Sequence, residues 1–93
     1  MLEQLCDGLA ARINDELPTF GGFDVRADAG EPGLVYVALR GAKREVEAGE
    51  KLARRLETLV EEVLDETEDE FGFALSIGAG MRDLLLQIEV RRS

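Results

Sequence analysis

The apolar skeleton of this chain occurs twice. A shift of 50 positions carries Leu2 onto Leu52, Cys6 onto Leu56, Leu9 onto Leu59, Ala10 onto Val60 and Ile13 onto Val63. It also carries Phe23 onto Phe73, Val25 onto Leu75, Ala27 onto Ile77 and Gly30 onto Gly80, and one further residue of shift brings Val35, Val37 and Leu39 onto Leu86, Ile88 and Val90. Few charged positions follow the repeat. The duplicated property is therefore a set of core-facing positions, which constrains architecture and says nothing about reaction chemistry.

Each half reads as a helix followed by two strands. Leu2, Leu5, Cys6, Leu9, Ala10, Ile13 and Leu17 recur at three- and four-residue spacings, so residues 2–17 form an amphipathic helix that Pro18 ends. Gly8 costs about 1 kcal/mol relative to alanine in mid-helix, and a close backbone approach is its expected reason. Gly21-Gly22 reads as a flexible link. Phe23, Val25 and Ala27 then alternate with Asp24, Arg26 and Asp28, and Leu34 to Leu39 returns as the second arm of a hairpin after the turn residues Ala29 to Gly33.

The second half repeats this order with a longer helix. Val46, Leu52, Ala53, Leu56, Leu59, Val60, Val63 and Leu64 form its stripe, with a start near Arg44 or near Glu50 because Gly49 interrupts the pattern. Phe71, Phe73, Leu75 and Ile77 mark a strand, Gly78-Ala79-Gly80 a turn, and Leu84, Leu86, Ile88 and Val90 the last strand. The expectation is α+β: a single domain over residues 1–93, built from αββ repeats at 1–41 and 42–93. Two helices would lie on one face of a four-stranded antiparallel sheet in a permuted ferredoxin-like arrangement. The strand of Phe71 would be outermost, followed by those of Leu84, Leu34 and Phe23.

Composition removes several functions. The chain has no histidine, which takes away the commonest general base and metal ligand, and its single cysteine falls on the apolar stripe of the first helix. A formal charge of -9 over 93 residues opposes direct nucleic acid binding and anionic membrane surfaces. No apolar run is long enough to cross a bilayer, and the start lacks the cationic pattern of a secretory signal, so a cytoplasmic location is expected. Gly78-Ala79-Gly80 leads from strand to strand, which is not the context of a phosphate cradle. No catalytic residue, cofactor or metal ligand set is expected.

Two surfaces remain. If Val35, Val37 and Leu39 face the helices, then Leu34, Tyr36 and Ala38 face away, joined by Ala74, Leu85 and Gln87 from the second hairpin. Apolar groups gathered on an open sheet face suit association. Separately, seven of the ten residues from 61 to 70 are acidic (Glu61, Glu62, Asp65, Glu66, Glu68, Asp69 and Glu70), although a helix C-terminus favours cations. Glu61, Asp65 and Glu68 share a helical face in this reading, yet exposed helical carboxylates do not converge on a metal as a calcium loop does. Such an acidic pole suits a basic partner. The functional expectation is a small acidic, non-enzymatic protein-binding domain of adaptor, chaperone, immunity or inhibitor type. It would form a homodimer or dock a partner through the sheet face. An acidic nucleic-acid mimic is the alternative, and a small enzyme a more distant one.

Overall fold

The computed structural model describes residues 2–93, which form two helices and five strands. The elements are α1 (Leu2–Glu16), β1 (Thr19–Phe20), β2 (Phe23–Ala29), β3 (Leu34–Leu39), α2 (Val46–Asp65), β4 (Phe71–Ala79) and β5 (Leu84–Arg92). All the strand pairs are antiparallel, in the order β1-β2-β3-β5-β4. The four long strands thus stand in the order expected from the sequence, but the sheet has five strands, not four.

The additional strand comes from Gly21-Gly22. Both residues have positive φ, 60° and 87°, the conformation that a two-residue hairpin turn requires at both central positions. They fold Thr19 and Phe20 back onto Asp24 and Phe23. The pair of glycines is therefore a tight turn and not a flexible link. Likewise Gly78 and Ala79 belong to β4, and the following turn is closed at Gly80, whose N–H donates to Asp83 O at 2.9 Å.

Helices cover only one side of the sheet. From α1, Cys6, Leu9, Ala10 and Ile13 are buried, and from α2, Leu52, Leu56, Leu59 and Val60. They meet Val25 and Ala27 of β2, Val35, Val37 and Leu39 of β3, and Leu84, Leu86, Ile88 and Val90 of β5. The helix positions matched by the 50-residue shift occupy this core, except that Val63 is half-buried where Ile13 is sealed, and Leu2 half-buried where Leu52 is sealed. Burial pushes the Cys6 thiol up from its ordinary range, a backbone hydrogen bond from Gly33 opposes that shift, and Asp7 adds to it, so the group is a protonated apolar filler.

The two helical glycines have different surroundings. A Cβ at Gly49 would lie 2.6 Å from Leu84 Cδ1, so the first turn of α2 sits directly on β5, and the helix begins at Val46 in spite of the glycine. No such neighbour exists at Gly8, where a Cβ would meet nothing within 4 Å. A close approach is not the reason for Gly8, and nothing in the structure explains it. Replacing Gly8 with alanine is expected to stabilise the fold by about 0.5–1 kcal/mol, read as a higher urea midpoint at unchanged slope.

The outer edge of β2 is closed by three unrelated groups. β1 pairs with its start, Pro18 O accepts the Val25 N–H at 3.0 Å, and Asn14 of α1 engages Ala27. The Asn14 side chain accepts from the Ala27 N–H and donates to the Ala27 carbonyl, each at 2.8 Å, in the manner of a neighbouring strand. Asn14→Ala strands both backbone groups at a half-buried position, and a loss of about 1–3 kcal/mol is expected in denaturant unfolding.

Candidate functional site

Register defines the face turned away from the helices. Ala38 stands opposite Leu85, Tyr36 opposite Gln87 and Leu34 opposite Glu89 between β3 and β5. Across β5 to β4, Leu85 meets Gly78, Gln87 meets Ser76 and Glu89 meets Ala74. The six residues expected on this face are therefore on neighbouring strands. Tyr36 is 41% exposed and Leu85 44%, Ala74 is exposed, and Leu34, Ala38 and Gln87 are half-buried.

Tyr36 and Leu85 do not stand freely in water. Gly30 underlies the tyrosine ring so closely that any Cβ there would overlap it, and a Cβ at Gly80 would sit 3.2 Å from Leu85 Cδ1. Each anchor rests on a glycine of an adjoining turn, which fixes its orientation while leaving its other side open. Between them lies a shallow hollow of about 280 Å³, lined by Tyr36, Ser76, Ile77, Gly78, Leu85 and Gln87 among others.

Charged residues border this strip. Arg26 pairs with Asp28 at 3.2 Å on β2, and Arg91 pairs with Glu89 on β5. Glu89 also separates Leu34 from Ala74, so the apolar surface is narrower than expected at that end. Glu89 has the parity of Leu85 and Gln87, and extending the same alternation by one step places it here.

The acidic pole is partly structural. Arg12 of α1 crosses to α2 and contacts Glu66 at 2.6 Å and Glu62 at 4.0 Å, while also holding Glu16 at 2.6 Å. Hydrogen bonds to Glu66 and then Glu16 raise the guanidinium further above its already high range. Arg92 of β5 reaches Asp69 at 2.9 Å. Cations missing from the end of α2 are thus supplied by other elements, which offsets the unfavourable placement of acids there. Glu61, Asp65, Glu68 and Glu70 make no ion pair among the described residues. Because α2 ends at Asp65, Glu68 lies in the following turn and not on a helical face with Glu61 and Asp65. No group of three His, Cys, Asp or Glu side chains among the described residues is arranged to hold a metal ion.

The basic residues Lys43 and Arg44 near the start of the second helix were legible in the sequence, but Arg82 beside them was not. Lys43 and Arg44 precede α2 and are not part of it, and the Lys43 N–H donates to Arg82 O at 3.0 Å. That contact gathers Lys43, Arg44 and Arg82, together with Glu45, around an open hollow of about 540 Å³, beside Met81, which is 93% exposed. Along α2 the two poles are separated by about 30 Å, the length of a 20-residue helix.

No helix among the described residues is long and apolar enough to cross a membrane. No family model, curated protein or solved structure matches this chain. The molecule is defined by its fold, two helices packed against a five-stranded antiparallel sheet with one open face.

The anchoring of Tyr36 on Gly30 has a direct readout, because Tyr36 is the sole tyrosine and the chain has no tryptophan. Gly30→Ala is expected to displace the ring and change the tyrosine emission and its quenching by iodide. Gly8→Ala, far from the ring, leaves both unchanged.

Proposed function

We propose that this chain is a non-enzymatic protein-binding domain that seats a partner on the open face of its sheet. The observation that carries the reading is the pairing of two large exposed side chains, Tyr36 and Leu85, each propped on a glycine and flanking a shallow hollow. Leu34, Ala38, Ala74 and Gln87 extend that surface, and the Arg26–Asp28 and Arg91–Glu89 pairs give it a polar rim. Tyrosine suits the centre of such a contact because it buries a large area at little conformational cost and retains a hydroxyl for hydrogen bonding. An adaptor, chaperone, immunity protein or inhibitor uses the same physics.

The outward carboxylates Glu61, Asp65, Glu68 and Glu70 provide a second contact for a basic region of that partner. Attraction at this pole raises the rate of encounter and orients it, while the sheet face supplies residence. The same four carboxylates also favour the alternative, an acidic mimic of nucleic acid, in which the pole would carry most of the affinity. The two αββ halves are read as repeats of one unit in a permuted ferredoxin-like order, supported by the shared burial of Leu9 and Leu59 and of Val37 and Ile88.

The two readings separate in a capture experiment from the native host at low and high salt. Tyr36→Asp and Leu85→Asp are each expected to abolish capture of one partner that the wild-type chain retains at both salt concentrations. Capture that survives both substitutions but disappears in high salt, or on competition with duplex DNA, rejects the face and supports the mimic.

A further inference from the structure

The two edges of the sheet are treated very differently. β2 is shielded by β1, Pro18 and Asn14 and carries Asp24, Arg26 and Asp28. β4 is the other edge, and it is nine residues long, Phe71 to Ala79, without a charge or a proline. Proteins ordinarily protect such an edge with lysine, proline, a bulge or a covering element, because unpaired backbone groups in a row are a template for another strand.

The hydrogen-bonding phase of that edge is fixed at both ends. Ser93 N–H donates to Glu70 O at 3.0 Å, and Gly80 N–H to Asp83 O at 2.9 Å. Antiparallel ladders alternate, so the even-numbered residues of β4 bond to β5. The N–H and C=O groups of Phe71, Phe73, Leu75, Ile77 and Ala79 consequently point outward from the open edge.

We propose that β4 pairs with β4 of a second copy, antiparallel about a two-fold axis through Leu75, joining the two sheets into one. This register is symmetric and uses the whole strand: Leu75 opposes Leu75, Phe73 opposes Ile77, and Phe71 opposes Ala79. Every outward-pointing backbone group named above is then bonded.

Two further observations favour a second copy as the occupant. Ile77 lies on the helix side of the sheet but is 42% exposed, whereas Phe71, Phe73 and Leu75 on the same side are half-buried. Pairing places Phe73 of the other copy beside it. Charge is the second. β4 starts from the acidic turn Glu68–Glu70 and ends at Met81-Arg82, next to Lys43 and Arg44, where Glu45 and Asp83 offset part of the positive charge. Antiparallel pairing sets the acidic turn of each copy near Lys43, Arg44 and Arg82 of the other, at both ends of the contact, whereas parallel pairing would set acid against acid. The net charge of -9 on each chain opposes association, but screening over roughly 8 Å at physiological salt favours the nearby complementary groups over the remote ones. With the β2 edge blocked, the pairing closes at two copies and cannot propagate as a fibre.

This inference is independent of the proposed face contact, since the two-fold axis stands perpendicular to the sheet and leaves both open faces on one side. The test is the mass of the full chain by sedimentation through a dilution series, together with residue-resolved amide exchange. The wild-type protein is expected to be a dimer in which the Phe73, Leu75 and Ile77 amides are protected and lose that protection on dilution. Ile77→Lys places a charge in the pairing, and Ile77→Pro removes only an N–H that β5 does not use. Both are expected to give monomers with unchanged circular dichroism. Tyr36→Asp is expected to leave the dimer intact even where it abolishes partner capture. A monomer at every concentration, a dimer that survives both Ile77 substitutions, or a dimer dissolved by Tyr36→Asp and not by Ile77→Lys overturns the proposal.

Discussion

Side chains on a β-strand alternate between faces, and both helices of this protein lie on the same side of the sheet. That combination determines the core and the exposed surface together. Val35, Val37 and Leu39 are sealed under the helices, and Tyr36 between them has to face out, whatever the chemistry of its side chain. On β5 the same rule buries Leu84, Leu86, Ile88 and Val90 and turns Leu85 outward. Large apolar residues at outward positions are thus a choice of residue, made where the fold provides no cover.

Backbone groups at the sheet edges impose the second constraint. A buried or half-buried N–H without a partner is costly, and on the β2 side the Val25 N–H and both backbone groups of Ala27 are met locally by the chain that leads into the strand. Asn14 has the most economical part in this arrangement, because one amide side chain on α1 satisfies both the donor and the acceptor of Ala27. It also ties the first helix to the sheet. Nothing comparable covers β4, although its alternating residues pack beneath α2 on one side. The molecule therefore has one finished edge and one that is chemically incomplete.

Much of the fold was legible because burial leaves a periodic trace. Spacings of three and four marked α1 and α2, and alternation marked all four long strands and their facing. The features that escaped depend on backbone geometry or on contacts distant in sequence. Gly21-Gly22 signals a tight hairpin turn when it is flanked by Thr19-Phe20 and Phe23, but a two-residue strand is too short to show alternation. Neither Arg12 meeting Glu62 and Glu66 nor Arg92 meeting Asp69 has a local signature, so the acids of α2 looked less compensated than they are. The face residues were found by parity alone, and the same parity extended to Glu89 marks where the apolar strip ends. The basic pole assembles from a loop and a turn that approach only in the folded state, through Lys43 and Arg82.

Charge separation gives the molecule a direction. Acidic groups collect at the C-terminal end of α2 and basic ones before its start, while the open sheet face carries the paired charges Arg26–Asp28 and Arg91–Glu89. A partner approaching such a surface is oriented before it makes apolar contact, which is how long-range and short-range forces divide the work of recognition. All of this depends on Tyr36 and Leu85 being in water on the side opposite the helices. The most direct measurement is relaxation of side-chain NMR signals by a soluble paramagnetic agent. Strong broadening of the Tyr36 ring and Leu85 methyl signals, with Val35, Val37, Leu86 and Ile88 unaffected, is the result this structure requires. The reverse pattern, with the ring protected and the valines broadened, would contradict it.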